Sequence, residues 1–408
     1  MDFLITSAAR ALASGDPLAA LNHVALRDDA PALALRGIAM AQLGDFARAK
    51  ALLRSAVHAF GPKEAAARAR CVVAQAEVAL ASRDLAWPEK SLIAARNTLG
   101  RFGDPINAAH AAYLQARRQL LIGKLDDAEG TLAGLDPAAV PPASRTVHEL
   151  IAAGIAMRRV QAKTARAALT RAELAARHAG IPALSAEVES VSLALNTPVA
   201  RLISQGQEQD LLLDEVETLL DSQALIVDGC RHVVRGNGKI VPLASRPVLF
   251  ALVRTLAEAW PQDVPRETLI FQSFRTRFFD ETHRVRLRVE IGRLRAAIKP
   301  LADITATARG FRLEAGDAEV AVLARPVADV DRDQAAVLAF LTDGQAWSSS
   351  ALALALGTSQ RTVQRTLDGL ASQGFVQPLG LGRARRWTTP PVPGFTSSLL
   401  LPALLPGQ

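Results

Sequence analysis

The sequence predicts a mainly α protein, with an N-terminal α-solenoid of helical hairpins followed by two small α+β units. Three observations predict it. An alanine- and leucine-rich helical pattern echoes itself through the first half. The period then changes to short strands separated by turn pairs, and two later segments each read as helix, turn, helix closed by a hairpin.

Composition sets the outer limits. The chain has 408 residues, 50% apolar and 21% charged, enough for two to four ordinary globular cores. No apolar run reaches the roughly 18 residues of a membrane span, and the opening MDFLITSAARALASGD lacks a basic segment leading into an apolar signal core. The expected location is therefore cytoplasmic, without membrane contact. Cys71 and Cys230 are the only cysteines and belong to no CxxC or Cys/His cluster, so neither a disulfide framework nor a metal site is expected. The seven histidines are scattered, no GxxxxGK phosphate loop occurs, and no nucleophile or acid/base constellation stands out. We expect no enzyme and no cofactor.

In the first half, GIAMAQLGDFARAKAL at residue 37 returns as GIAMRRVQAKTARAAL at residue 154, a separation of 117, or three steps of 39. GKLDDAEGTL at Gly123 matches GDFARAKALL at Gly44, and SRDLAWPEKSL fills the missing step near Arg83. Such periodicity marks stacked helical hairpins. Ala49, Ala128 and Ala167 are read as close-approach positions, and the Gly-Asp and Gly-Lys pairs as turns. Through Gly37, Ala49 and Ala56 the array resembles tetratricopeptide repeats over residues 1–205, departing from them in its longer period and its lack of large aromatics. The resemblance implies a curved solenoid that holds a protein or peptide, or pairs two copies of the chain.

The acidic stretch EQDLLLDEVETLLDS predicts an amphipathic linker helix, at 206–221. ALIVD, RHVVR and KIVPL, separated by DG and GNG turns, predict a strand meander. PVLFALVRTLAEAW and PRETLIFQSF follow as helices, then ETHRVRLRVEIGRLRAAIKP as a third, then ITATARGFRLEA as a hairpin.

The third helix carries the functional signal. Leu287, Ile291, Leu294 and Ile298 form one buried stripe, whereas Val285, Val289, Gly292 and Ala296 point the other way. Arg284, Arg288 and Arg295 flank one side and Arg286 and Arg293 the other. Glu290 is the only acid between Arg284 and Arg295, so pairing inside that stretch cannot neutralise the row. Either acids elsewhere, such as Asp280 and Glu281, or an external anion must do so. Net charge is +7 overall, but within 266–312 eleven Arg or Lys face five acids, the local focus that nucleic-acid contact requires.

Residues 222–316 resemble the winged-helix domain of OmpR/PhoB-type response regulators through VxLASRPVLFALVRTLA, VxIGRLRAAI and TATARGFRLE. The resemblance implies that Val289 and Arg293 face the major groove, with Arg293 on guanine and Val289 against a thymine methyl. Arg286, Arg288 and Arg295 would meet phosphates, Arg284 is counted among the DNA-contacting residues, and Arg309 and Arg312 belong to the wing, Arg309 near the minor groove. Gly310 is read as permitting the turn that follows. The chain departs from the family at Glu290 and Gly292, which leaves base preference open. No receiver pattern precedes the domain, so control by aspartate phosphorylation is not expected.

After a linker at 317–331, residues 332–390 give QAAVLAFLTDG, then SSSALALALGTSQRTVQRTLDGLASQGFV, then PLGLGRARRWTT. Helices are predicted at 348–355 and 359–372, with Gly357 at the turn and Val363, Leu367 and Leu370 buried. The segment resembles the winged helix-turn-helix of MarR- or DeoR-like regulators. Gln360, Arg361, Gln364 and Arg365 would then reach DNA from the helix, and Arg383, Arg385 and Arg386 from its wing. The Pro/Leu-rich tail, 391–408, is expected to pack on the body.

The function these resemblances imply is a bacterial-type regulator of transcription that binds double-stranded DNA, is nucleoid-associated when bound, and recruits RNA polymerase. The alternative is a protein-interaction scaffold whose winged helices dock proteins.

Overall fold

The computed structural model describes residues 2–82, 87–274, 276, 280–324, 332–341, 347–379 and 385–388. The described chain is mainly helical and divides into two compact units after Leu195.

The first unit contains α1 (Phe3–Ala13), α2 (Pro17–Val24), α3 (Ala30–Gln42), α4 (Phe46–Ala59), α5 (Ala65–Ala81) and α6 (Glu89–Arg101). It continues through α7 (Pro105–Leu121), α8 (Leu125–Ala133), a 3-10 turn at Pro137–Ala139, α9 (Pro142–Arg158), α10 (Ala162–Ala179) and α11 (Pro182–Leu195). Each helix packs on the next, and α1, α3, α5, α7 and α9 also pack on the helix two places on. Five turns between helices share one backbone device. Gly15, Gly44, Gly103, Gly123 and Val160 are left-handed, and the residue after each donates its N–H to the carbonyl five places back, as Asp45 does to Met40 at 2.9 Å.

Packing corrects the repeat register. The helix caps Asp45 and Gln161, the left-handed Gly44 and Val160, and the buried pairs Ala49 and Ala165, Leu53 and Leu169, Ala56 and Ala172 all lie 116 residues apart. The repeated GIAM letters, 117 apart, are thus one residue out of structural register. Ala167 is exposed, and Ala165 holds the close-approach position instead. Gly37 does sit at a close approach: a Cβ there would lie 2.8 Å from Leu53 Cγ. Several buried polar side chains of this unit meet one another: Arg70 and Asp104 at 2.6 Å, His110 and Glu77 at 3.0 Å, and Arg117 and Glu187. The expected repeat step at Arg83 lies outside the described residues.

The second unit opens with β1 (Ala200–Ser204), β2 (Gln207–Leu211), α12 (Leu213–Asp221), β3 (Leu225–Asp228), β4 (Val233–Gly236) and β5 (Lys239–Pro242). Then come α13 (Pro247–Glu258), β6 (Val264–Pro265), α14 (Arg266–Phe274), α15 (Glu281–Ile298), β7 (Asp303–Ala306), β8 (Gly310–Glu314) and β9 (Val320–Ala324). One sheet has the order β2-β1-β9-β3-β4-β5, and a smaller one the order β6-β8-β7. Two expectations fail here. Residues 200–211 form a hairpin, so the linker helix starts only at Leu213, and 320–324 of the expected 317–331 linker is a central strand, parallel to β3 and antiparallel to β1. The remaining linker residues, 325–331, lie outside the described residues. Val320 and Val322 of β9 join Leu225, Leu252, Leu256, Leu287, Ile291, Leu294 and Phe311 in one core. This core holds α15 in place by the stripe that its 3.6-residue period presents.

A separate core gathers Val337, Leu341, Leu352, Val363, Leu367, Leu370, Val376 and Trp387. It unites α16 (Arg332–Leu341), α17 (Ser349–Leu356), α18 (Gln360–Ser372), β10 (Gln377–Leu379) and β11 (Arg386–Thr388). Ser359 caps α18 by accepting from Thr362 N–H at 3.1 Å, and Gly357 ends α17 at φ 64°. The Pro/Leu-rich tail lies outside the described residues.

Candidate nucleic-acid interface

Helix α15 starts at a strong cap. Asp280 accepts from the His283 N–H at 3.1 Å, with His283 Nδ1 2.8 Å from the same oxygen. These bonds hold the Asp280 carboxyl below its ordinary value. Leu287, Ile291, Leu294 and Ile298 are buried, whereas Val285 and Val289 are each 48% exposed. Gly292, Arg293 and Ala296 are exposed beside them. The outward face is therefore narrow, as its sequence pattern requires.

The arginines are not equivalent. Arg284 and Arg288 both reach Glu281, at 3.5 and 2.9 Å, and Arg293 reaches Glu290 at 2.9 Å. The guanidinium of Arg286 lies 4.5 Å from the centre of the Phe274 ring. Arg295 donates to the Ile304 carbonyl at 2.9 Å and lies 3.2 Å from Asp303, so it braces the first strand of the hairpin. Acids outside the 284–295 stretch thus take up part of the row. Arg293, Arg288 and Arg284 remain largely exposed, and exposed ion pairs of this kind exchange readily for other anions.

The β7–β8 turn is held against the start of α14 by a latch. Arg266 donates to the carbonyls of Ala308 and Thr307 at 3.0 and 3.1 Å, and Thr307 Oγ1 donates to Asp263 at 2.6 Å. Gly310 is needed for close approach and not for a left-handed turn, because a Cβ there would sit 1.8 Å from the Val264 carbonyl oxygen. The latch leaves Arg309 73% exposed, 3.8 Å from Asp263. Arg312 is spent on Glu314 at 2.8 Å on the same strand, which holds the Glu314 carboxyl below its ordinary value. Arg266, Glu267, Glu281, Arg284, Arg288 and Arg309 share one concavity of about 420 Å³. Arg266 was not singled out by sequence, because its place opposite the turn depends on the β6–β8 pairing.

On α18, Arg361, Gln364 and Arg365 are exposed and line a second concavity, about 480 Å³, together with Ser359, Thr362 and Asp368. Gln360 is tied back to Ser349 at 3.1 Å. Arg385 lies 3.8 Å from Asp368 and 4.2 Å from the centre of the Trp387 ring, and Arg386 is exposed. Trp347 joins β11 through reciprocal backbone bonds to Trp387, a pairing that two isolated tryptophans give no sequence signal for. Arg383 lies outside the described residues.

Among the described residues no helix is long and apolar enough to cross a membrane. Comparison with protein-family models, with curated proteins and with solved structures finds no match to this chain.

Proposed function

We propose that this chain is a sequence-specific, double-stranded DNA-binding regulator of transcription. In this reading the unit from β1 to β9 is an OmpR/PhoB-type winged helix, α16 to β11 a second winged helix-turn-helix, and α1 to α11 a tetratricopeptide-like solenoid. The solenoid docks a protein or peptide, or a second copy of the chain, and RNA polymerase is recruited at the bound site. The observation that carries the reading is the joint placement of α15 and the β7–β8 turn. A slim helix face bearing Val289 and Arg293 stands beside a concavity where Arg284 and Arg288 of the helix meet Arg309 of the turn. A helix of that outline enters a major groove while flanking cations meet phosphates and the turn reaches the next minor groove.

The test is a duplex-binding titration across salt concentration. Phosphate contact releases counterions, so affinity falls steeply as salt rises. Arg293→Ala is expected to cost about 1 to 3 kcal/mol and relax preference at one base position, whereas Arg288→Ala weakens all duplexes alike. Binding like the parent by both variants defeats the assignment. Salt-insensitive capture of a protein, with no duplex binding, favours the docking reading.

A further inference from the structure

We propose that Glu281 is an internal competitor for DNA phosphate, occupying in the free protein the seat that a backbone phosphodiester takes in the complex. The inference rests on the DNA-binding reading above. Four guanidinium groups face the concavity between α14, α15 and the β7–β8 turn, and they divide by what they already hold. Arg266 gives two donors to the carbonyls of Thr307 and Ala308, so it builds the wall. Arg309 stands at the rim, 3.8 Å from Asp263. Arg284 and Arg288 converge on the single carboxylate of Glu281, at 3.5 and 2.9 Å.

A carboxylate and a phosphodiester present similar paired oxygens to a guanidinium, and both cannot occupy the same donors. The Glu281 side chain is 64% exposed and lies in the first turn of α15, free to swing toward solvent when displaced. The exchange thus subtracts a modest amount from duplex affinity. It also restrains non-specific binding, which rests on phosphate contact alone.

Glu267 supplies the control, because it lines the same concavity with the same charge. Duplex affinity of the full chain is measured by fluorescence anisotropy at low salt for the parent, Glu281→Gln, Glu267→Gln, Arg288→Ala and the Glu281→Gln/Arg288→Ala double variant. Releasing a surface ion pair is expected to tighten binding about threefold to fivefold in Glu281→Gln. In Glu267→Gln the change is smaller than twofold, as general charge alone provides. In the Arg288→Ala background the gain from Glu281→Gln largely disappears, because one of the two competed donors is gone. Unchanged or weaker binding by Glu281→Gln overturns the proposal, as does an equal gain from Glu267→Gln or a gain that persists without Arg288. Circular dichroism of each variant confirms that α15 remains helical. If the parent ignores duplex DNA at low salt, the DNA-binding reading itself fails and this inference falls with it. A parent that binds while Glu281→Gln gains nothing removes only the inference.

Discussion

Gly310→Ala tests the latch that sets the β7–β8 turn against α14. The added Cβ would lie 1.8 Å from the Val264 carbonyl oxygen, 2.8 Å from its carbon and 3.0 Å from Pro265 Cα, all backbone atoms that no rotamer change can move. Reaching ordinary van der Waals separation requires β6 and β8 to part by about 1.5 Å. Besides the β6–β8 pairing, four hydrogen bonds span that gap: Arg266 N–H to the Arg309 carbonyl at 3.4 Å, the Arg266 guanidinium to Thr307 and Ala308 at 3.1 and 3.0 Å, and Thr307 Oγ1 to Asp263 at 2.6 Å. Losing two of them costs about 1 kcal/mol each, and the overpacking adds about 1 to 3 kcal/mol. The expected penalty is about 3 to 5 kcal/mol. Because the chain has several cores, the loss is read locally, by hydrogen exchange of peptides covering 303–314, where protection should fall by a factor of about 100 or more. Gly292→Ala is the control. Nothing lies within 4 Å of a Cβ at that exposed helical site, so alanine should stabilise α15 by up to about 1 kcal/mol. Unchanged protection of β7 and β8 in Gly310→Ala would refute the close-approach argument.

Two further outcomes follow from the fold. A fragment of residues 222–316 lacks β1, β2 and β9, and therefore one of the two partners of β3 and the buried Val320 and Val322, each worth about 1.5 to 3 kcal/mol of burial. It is expected to unfold at much lower urea than a 196–324 fragment, and equal midpoints would sink the six-stranded assignment. Val160→Gly should stabilise the first unit by about 0.5 to 1 kcal/mol in thermal unfolding, since a β-branched residue at φ 58° occupies the place that glycine holds at Gly44 and Gly123. A lower midpoint would show that side-chain packing outweighs the backbone conformation there.

What the sequence made legible was whatever declared itself within one element. The stripe of α15, and the meander, three helices and closing hairpin between Leu225 and Glu314, are local, and pattern reading finds them; the two-residue β6 at Val264–Pro265 exists only through its pairing with β8 and was not foreseen. β9 escaped because Val320–Ala324 is buried on both faces between β1 and β3, so it shows a short apolar run with no alternation. The β1–β2 hairpin escaped for the opposite reason. Its outer strand, Gln207–Leu211, is an exposed polar edge, and its turn uses Gln205 and Gly206 in place of an Asn-Gly or Asp-Gly pair. The repeat was misaligned by one residue because letter identity followed Gly-Ile-Ala-Met while the helix caps and buried faces kept their own spacing.

The arginine row shows how a count of charges differs from a count of available donors. By sequence the five arginines from Arg284 to Arg295 are a cationic row along the two flanks of one outward face. In the fold they have separate employments: Arg295 braces β7, Arg286 covers Phe274, Arg284 and Arg288 share Glu281, and Arg293 pairs with its neighbour Glu290. Pairing to a backbone carbonyl inside the hairpin resists exchange because breaking it strands a polar group in the packed wall, whereas an exposed carboxylate gives up its partner to water or phosphate at small cost. On the DNA-binding reading proposed above, the donors open to a phosphate are therefore those of Arg284, Arg288, Arg293 and Arg309, and the carboxylates they touch, Glu281, Glu290 and Asp263, compete for them.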